Sequence, residues 1–443
     1  MKIIYIIIVF IISSIQISLF SQPQYWNEQT SGVTVQLTSV SPLGNEAWVC
    51  GYSGTVLRTT NAGTNWINVS GGGIPNTVSL INIWGFDANT ALVAGYLGTD
   101  TWVWRTSNAG VNWVQVFSQP NGFINGMVFR RTLPNTGFLQ GDPVGGRWSL
   151  WKTTNGGINW DSTGRFLPQA GTEAGWNNSV YVSSMGAYSF SGLDTLLWFG
   201  TNNSRIYFSS NFGQNWAVQS TSPEVNSYAI GFHVAFPALD GLTGGTALMR
   251  TSNGGLNWVT QTAPGTGNFG GFVLFPIPVA TDLISGYNWI VRNDANIYRE
   301  FMGQGWLIDY TAPAGNYRHM AVARNTSTIW AVRSNGGITK CNCFVSEIEP
   351  TTTAIPDSYA LLQNYPNPFN PETHFGFRIP VFGLVKLTIY DALGKEVVTL
   401  VNKELQPGSY AAEWDASVYP SGVYYYKLES GSYAETRKMV LIK

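Results

Sequence analysis

One octapeptide recurs five times in this chain and constrains its fold more than any other feature. The copies read TTNAGTNW at 59–66, TSNAGVNW at 106–113, TTNGGINW at 153–160, SSNFGQNW at 209–216 and TSNGGLNW at 251–258. Their tryptophans are 47, 47, 56 and 42 residues apart. A period in the forties, with hairpins rich in glycine and aromatic residues, is typical of β-propeller blades with four strands each.

Each copy is predicted to be a hairpin turn between the third and fourth strands of a blade. The asparagine can accept a hydrogen bond from the backbone two residues ahead, and the glycine that follows tolerates a positive φ. The terminal tryptophan opens the next strand with a large apolar side chain. We therefore predict structural roles for Asn61, Asn108, Asn155, Asn211, Asn253, Trp66, Trp113, Trp160, Trp216 and Trp258.

Two weaker copies and one isolated strand complete the series. The segment YREFMGQGW ends at Trp306, and WAVRSNGGITK (330–340) has the turn without a strand beyond it. The segment YWNEQTSG (25–32) has the form of the strand that follows each turn, yet no turn precedes it. We predict that this segment supplies the outer strand of the last blade. The chain would then close a ring of seven blades that has no open edge.

The first residues are predicted to be a secretory signal peptide. Lys2 is followed by a continuous apolar run and then by the polar segment SQPQ, which places cleavage after Ser21. The alternative is an uncleaved membrane anchor, because the apolar run is nearly long enough to span a bilayer. No later segment is apolar for long enough to cross, so we predict no stable transmembrane anchor.

Composition excludes several classes of partner. Charged residues make up 11% of the chain and the net charge is −1, so no electrostatic footprint for nucleic acid or anionic lipid is present. The three histidines are scattered and no cysteine spacing matches a metal site, so we predict neither metal nor cofactor. For the three cysteines, a buried free Cys50 with a Cys341–Cys343 pair is favoured. A bridge from Cys50 to either of the others is the alternative.

The last 99 residues differ in composition from the rest of the chain. Residues 345–443 hold 8 Lys/Arg and 11 Asp/Glu, whereas the 323 residues of 22–344 hold 15 and 14. We therefore predict a linker at 345–359 and a second domain at 360–443. The segments 385–397, 408–417 and 421–430 alternate apolar and polar residues between glycines or prolines. This pattern predicts a small antiparallel sandwich of the immunoglobulin-like type.

The octapeptide resembles the Asp-box, or BNR repeat, of sialidase-like propellers, whose usual form is Ser-x-Asp-x-Gly-x-Thr-Trp. Asparagine replaces the aspartate in every clear copy. The series that begins GYSGTVLRTTNAGTNW is similar to propellers related to photosystem II assembly factors. The resemblance covers residues 22–344. It implies an all-β, seven-bladed propeller but says little of function, because propellers serve many roles.

The tail resembles the C-terminal sorting domain of the type IX secretion system. The matching segments are LLQNYPNPFNPET (361–373), LTIYDALGKEV (387–397), YPSGVYYYKL (419–428) and RKMVLIK (437–443). This resemblance implies a Gram-negative bacterium, the type IX machinery as a partner, and a secreted or surface-exposed propeller. A plain immunoglobulin-like stalk is the alternative.

Sialidase chemistry is not favoured by the sequence. Sialidases combine an arginine trio with a Tyr/Glu nucleophile pair and an acid/base Asp, and no such set can be assigned from the 13 arginines of the propeller. The FRIP motif that accompanies these enzymes does occur, but at 377–380 in the tail, where we interpret it as coincidence. A glycoside hydrolase that uses two carboxylates across a cleft is the more open enzymatic alternative.

Candidate site residues are predicted on the face opposite the octapeptides. The loops there include GYLGTDTW (95–102), GDPVGGRW (141–148) and GRFLPQAGTEAGWNN (164–178). The weak catalytic candidates are Asp142 and Glu173, and the candidates for ligand binding are Arg147, Trp176, Asp100 and Arg165. The competing interpretation makes Asp142 a turn residue and Glu173 a solvated one. We expect a non-enzymatic binding or scaffold module for a glycan or protein partner. An exposed pair of carboxylates in the cleft would instead favour the hydrolase.

Overall fold

Every secondary-structure element described here is a β-strand. The computed structural model describes residues 26–182, 195–234, 239–276, 286–301, 305–324, 328–341, 356–416 and 419–443. The predicted signal peptide and Cys343 lie outside these ranges. Within them, no helix has the length and hydropathy needed to cross a membrane.

Seven antiparallel sheets form the blades of a propeller. Blade 1 consists of β2 (Leu37–Pro42), β3 (Ala47–Gly51), β4 (Val56–Thr59) and β5 (Ile67–Asn68). Blade 2 consists of β6 (Ser79–Gly85), β7 (Ala91–Leu97), β8 (Asp100–Thr106) and β9 (Val114–Gln119). Blade 3 consists of β10 (Ile124–Phe129), β11 (Gly137–Val144) and β12 (Arg147–Thr153). Blade 4 consists of β13 (Gly175–Val182), β14 (Leu197–Thr201), β15 (Arg205–Ser209) and β16 (Ala217–Ser220).

The remaining blades complete the ring. Blade 5 consists of β17 (Ala229–Val234), β18 (Leu239–Gly244), β19 (Leu248–Thr251) and β20 (Val259–Gln261). Blade 6 consists of β21 (Phe269–Pro276), β22 (Gly286–Arg292), β23 (Asn296–Phe301) and β24 (Trp306–Thr311). Blade 7 consists of β25 (Tyr317–Val322), β26 (Ile329–Arg333), β27 (Ile338–Cys341) and β1 (Trp26–Gln29). The first strands of successive blades contact one another around the centre, and β25 contacts β2 to close the circle.

Blade 3 departs from the four-stranded pattern that the spacing predicts. Its sheet has three strands, and the place of the fourth is taken by two isolated bridges, one between Lys152 and Asp161 and one between Arg147 and Pro168. The chain leaves β12 between the two bridges, returns to it where Trp148 N donates to Leu167 O at 2.9 Å, and then enters the connection to blade 4. Blade 3 therefore keeps the octapeptide turn, although its fourth strand is reduced to isolated bridges.

The ring is closed by the N-terminal strand, as the sequence predicts. Strand β1 pairs with β27, with Trp26 opposite Cys341. The Trp26 side chain is 2% exposed, and its Nε1 donates to Asp309 Oδ2 in blade 6 at 2.8 Å. In the same strand, Glu28 pairs with the buried Arg333 and accepts a hydrogen bond from Tyr310 of blade 6 at 2.9 Å.

The turn at 334–337 joins a different pair of strands from the pair that the repeat predicts. It joins β26 to β27, which are the second and third strands of blade 7, whereas the octapeptides join third strands to fourth strands. An Asn-Gly-Gly turn suits any tight hairpin, so its local chemistry does not reveal which strands it connects. The position equivalent to an octapeptide follows Cys341 and lies outside the described residues. The blade count is unaffected.

A buried hydroxyl organises each octapeptide. Thr59 is fully buried, and its Oγ1 accepts from Gly63 N at 3.0 Å and donates to Asn61 Oδ1 at 3.0 Å. Asn61 Oδ1 in turn accepts from Asn65 N at 3.0 Å. The other four copies repeat this network, which starts at Thr106, Thr153, Ser209 and Thr251. The asparagine thus accepts from the backbone four residues ahead and not two, and the initial hydroxyl is a structural residue that the repeat pattern does not reveal.

The fifth residue of each octapeptide must be glycine for two reasons. Its φ lies in the left-handed region, at +79° in Gly157 and +81° in Gly213, which disfavours a side chain. A Cβ on Gly157 would also lie 2.4 Å from Leu92 of blade 2, and one on Gly213 would lie 2.4 Å from Phe138 of blade 3. The turn therefore packs its backbone against the preceding blade.

Side chains extend the same contact between blades. Trp66 packs edge-on against Trp330 of blade 7 with ring centroids 5.6 Å apart, and Trp113 packs on Trp48 of blade 1 at 6.0 Å. Polar side chains also donate to the carbonyl of the fourth octapeptide residue in the next blade; the pairs are Lys340 to Ala62 (3.0 Å), Arg105 to Gly156 (3.0 Å) and Gln219 to Gly254 (2.7 Å). Each octapeptide is thus a joint between two blades as well as a turn within one.

The C-terminal strands form a two-sheet sandwich. One sheet has the order β28 (Ala360–Leu361), β29 (Glu372–Ile379), β32 (Gly408–Asp415). The other has the order β31 (Glu396–Leu405), β30 (Gly383–Tyr390), β33 (Gly422–Ser430), β34 (Tyr433–Leu441). The segment at 385–397 covers most of β30, a turn and the start of β31, so it forms a hairpin. The boundaries 22–344, 345–359 and 360–443 stay predictions.

The loop that carries the NYPNPFNPE segment holds the last strand in place. Phe369 is 2% exposed within the sandwich core, and its backbone N donates to Val440 O at 3.0 Å. Ile442 N donates back to Phe369 O at 2.9 Å, and Asn367 Oδ1 accepts from Val440 N at 2.9 Å. The NYPNPFNPE loop and the C-terminal RKMVLIK segment therefore bind each other directly.

We expect Thr59→Val to lower the free energy of unfolding by about 1–3 kcal/mol, because it leaves the buried Gly63 N–H without an acceptor. Thr60→Val is the matched control, since the Thr60 side chain is exposed. Urea unfolding of the two variants measures the difference. Equal stabilities would show that the hydroxyl does not support the turn.

We expect Trp26→Ala to lower the free energy of unfolding by about 3–5 kcal/mol, the usual range for removing a fully buried aromatic side chain. Ile67→Ala is the control, because Ile67 also lies on an outermost strand but is 51% exposed; its cost should be about 0.5 kcal/mol or less. Unfolding followed by intrinsic fluorescence checks both values. A Trp26 variant as stable as the Ile67 variant would contradict closure by β1.

Candidate functional site

The two faces of the propeller carry different connections. The octapeptides lie beside the hairpins that join first and second strands, as shown by Ala62 N donating to Asn45 O at 2.7 Å and Ala109 N to Asn89 O at 2.8 Å. We call this side the turn face. The hairpins between second and third strands and the connections between blades lie on the opposite side, which we call the loop face. Five of the six candidate site residues lie at loop-face connections. Arg165 instead lies beside Asp161, which bridges to Lys152 near the turn-face end of β12.

Glu173 is a buried residue that holds a loop in place. Its side chain is fully shielded from solvent, and its carboxylate accepts from Tyr207 Oη at 2.8 Å and from Asn203 Nδ2 at 3.3 Å. Arg205 Nη1 lies 3.5 Å from the same carboxylate. These contacts fasten the connection between blades 3 and 4 to the body of blade 4. Glu173 is therefore neither solvated, as the competing interpretation held, nor presented to a substrate.

Asp142 is also held by the protein. Its Oδ1 accepts from Asn125 Nδ2 at 2.8 Å and from Gly175 N at 2.7 Å. Asn82 Nδ2 of blade 2 donates to Asn125 O at 2.8 Å, so the network links blades 2, 3 and 4. Burial raises the pKa of the Asp142 carboxyl, and the two hydrogen bonds only partly offset that shift.

The other predicted polar candidates do not converge on a common point. Asp100 Oδ1 accepts from Asn121 N at 3.0 Å, and Arg147 is exposed on its hairpin. Arg165 donates to the carbonyl of Thr163 at 2.9 Å within its own loop. In the part of the chain that the structure describes, none of the six candidates hydrogen-bonds to another.

Two aromatic pairs stand on the loop face. Trp176, at the start of β13, packs on Tyr228 with ring centroids 4.2 Å apart. Tyr96, at the end of β7, packs on Phe123 at 4.8 Å. All four rings are half-buried. Sequence reasoning found Trp176 alone; the available signal for Phe123 and Tyr228 was an aromatic residue directly before a first strand.

A central cavity of about 90 Å³ is lined by first strands of the blades. Its described lining contains no Asp or Glu; the ionisable side chains there are His319 and Arg324. His319 Nδ1 accepts from Val40 N at 3.2 Å, and burial lowers the pKa of the imidazole to about 4, so His319 is neutral near pH 7.

The structure shows the state of two of the three cysteines and tests for a metal site among the described residues. Cys341 is disulfide-bonded, whereas Cys50 is a buried free thiol whose pKa is raised to about 12 by burial. A bridge from Cys50, the alternative raised by the sequence, is therefore wrong. Among the described residues, no group of three or more His, Cys, Asp or Glu side chains is arranged to hold a metal ion.

We expect Asp142→Asn to gain stability relative to the wild type as the pH rises from 3 to 7. A carboxyl whose folded pKa is raised contributes most below its unfolded pKa, and that contribution is lost as the pH rises through the folded value. Asparagine keeps an Oδ1 acceptor for Gly175 N and Asn125 but carries no charge. Urea unfolding of both proteins across this range measures the difference, and a constant difference would contradict the raised pKa.

Comparison with known proteins identifies the tail and the fold. The secretion system C-terminal sorting domain family matches residues 363–443. A comparison with curated proteins finds no significant match. YCF48 bound to a D1 peptide is 15% identical with a TM-score of 0.52, over 71% of this chain and 96% of that one. YCF48 from Cyanidioschyzon merolae is 17% identical with a TM-score of 0.51, over 71% and 98%.

A second group of similar structures consists of enzymes. The GH74 xyloglucanase from Xanthomonas campestris is 13% identical with a TM-score of 0.51, over 80% of this chain and 59% of that one. At such low identities these likenesses establish the propeller fold alone. Together with the matched tail, they identify the chain as a β-propeller protein with a type IX secretion C-terminal sorting domain, exported to the extracellular space or the outer cell surface.

Proposed function

We propose that the secreted propeller is a non-enzymatic binding module whose loop face holds a glycan or a protein partner. The observation that carries this proposal is the pair of aromatic contacts on that face, Trp176 with Tyr228 and Tyr96 with Phe123. Half-buried rings that are already packed lose little conformational freedom when they bind, and aromatic side chains are enriched at binding surfaces.

The low charge of the chain supports the same choice. With 11% charged residues and a net charge of −1, the chain suits uncharged sugar rings or a polar protein surface better than a phosphate-rich ligand. Sugar rings present apolar C–H faces that stack on aromatic side chains, and hydroxyl groups that the neighbouring polar loops can bind.

The arrangement of carboxylates argues against the hydrolase alternative. A glycoside hydrolase that uses two carboxylates needs both groups accessible across a cleft. Glu173 is engaged with Tyr207 and Arg205, and Asp142 with Asn125 and a backbone amide. The likeness to GH74 enzymes, one of them a xyloglucanase, keeps hydrolysis of β-glucans as the second candidate, which a reducing-end assay on xyloglucan would detect.

A glycan array and a screen of purified surface proteins, both probed with the exported chain, test the proposal. For any ligand found, Trp176→Ala should weaken binding by more than tenfold, as for aromatic anchors whose truncation costs about 2 kcal/mol. Phe86→Ala is the matched control, because Phe86 is a half-buried ring of the turn face that packs on Phe129 at 4.7 Å. Release of reducing ends would reject the non-enzymatic role, and equal affinities of the two variants would reject the loop-face binding site.

A further inference from the structure

Arg324 lies across the turn-face mouth of the central cavity. It follows the end of β25 in blade 7, and its Nη1 donates to Ser41 Oγ of blade 1 at 3.2 Å. Its Nη2 donates to Gly85 O of blade 2. The guanidinium also stacks over the Trp84 ring, with Cζ 4.1 Å from the centroid. The side chain is thus held in one place by two blades other than its own.

Arg324 differs from several other arginines of the propeller, which form ion pairs with a carboxylate. Ion pairs with Asp or Glu are formed by Arg205, Arg250, Arg299 and Arg333. Arg292 instead donates to four backbone carbonyls. Among the described residues, no carboxylate lies within ion-pair distance of Arg324.

In the part of the chain that the structure describes, no anion compensates the positive charge of Arg324. Burial lowers the pKa of its guanidinium to about 9, and repulsion by Arg131 acts in the same direction. A desolvated cation beside a second cation is costly unless an anion is present. The two neutral acceptors and the Trp84 ring offset part of that cost without cancelling the charge.

A second donor faces the same cavity. Because His319 Nδ1 accepts from Val40 N, the proton of the neutral imidazole lies on Nε2. Within the described chain, Nε2 has no hydrogen-bond partner, and His319 lines the cavity together with Arg324. The cavity volume is about 90 Å³, and one water molecule needs on the order of 10–15 Å³ of such space, so a group of several heavy atoms can enter.

We propose that the turn-face end of the central cavity binds one small anionic group, a carboxylate or a sulfate, with Arg324 as its charged contact and His319 Nε2 as a hydrogen-bond donor. Arginine presents several N–H donors in a planar fork that suits both kinds of oxyanion. The site lies at the opposite mouth from the loop face, so it stands independently of the proposed function.

The competing explanation makes Arg324 a clamp that joins blades 7, 1 and 2 and binds nothing. A clamp contributes to stability in the absence of any added anion, and its loss would lower the melting temperature equally at every anion concentration. An anion site predicts a saturable stabilisation by the anion that depends on Arg324. The two explanations therefore differ in the anion dependence of the melting temperature.

The test titrates the full exported chain with sodium sulfate and with sodium glucuronate, using sodium chloride at equal ionic strength and glucose as references. Arg324→Gln is compared with Arg318→Gln, which removes the same charge from the loop-face end of the same strand. Since sulfate stabilises most proteins without a site, the difference between these variants is the measured quantity. We expect a saturable rise in melting temperature in the wild type and in Arg318→Gln. The half-saturating concentration should increase at least tenfold in Arg324→Gln.

The imidazole resonances of His319 provide an independent readout in the wild type. Binding should shift the Nε2 signal with the same half-saturation as the melting temperature, and the more effective anion identifies the chemistry of the group. Identical titrations of Arg324→Gln and Arg318→Gln would overturn the site. If Arg324→Gln does not fold, the absence of a saturable His319 shift in the wild type would overturn it instead.

Discussion

The propeller depends on the buried hydroxyl at the start of each octapeptide. This Thr or Ser accepts the backbone N–H of the glycine four residues on, and so satisfies a donor that the tight turn leaves without a backbone partner. The turn can then bring a bare glycine backbone against the preceding blade, at distances that no Cβ would allow. A hydrogen bond inside one blade thereby fixes how closely two neighbouring blades pack. Because the same bond recurs in successive blades, it repeats that packing around the ring.

Closure makes the ring a single unit. The N-terminal strand β1 completes blade 7, and Asp309 of blade 6 accepts the indole N–H groups of both Trp26 and Trp289. Glu28 of β1 also contacts Arg333 of blade 7 and Tyr310 of blade 6, so the first described strand is bound to the last two blades. An open sheet edge is thereby removed, which for an exported protein also removes a template for aggregation.

Repeated local patterns predict this fold correctly, whereas a single turn taken alone does not. The aromatic-ended turns predicted seven blades, and YWNEQTSG predicted the closing strand, because each is a fixed element of a periodic structure. The turn at 334–337 was misplaced, since Asn and Gly favour a hairpin without indicating which strands it joins. Glu173 was misjudged because a Gly-rich loop looks solvated until Tyr207 and Arg205, about thirty residues later, fold over it.

The all-β class, the blade count, the closing strand and the sorting domain can all be predicted from the amino-acid sequence, because repeats and contiguous motifs express short-range chemistry. The tertiary structure alone decided which side chains meet. Asp142 forms hydrogen bonds that link neighbouring blades, and Trp176 packs on Tyr228 of the next blade. Arg324 donates to residues of blades 1 and 2 at the mouth of the cavity. Such contacts join positions far apart in the chain, and only the closure of the ring brings them within reach of one another.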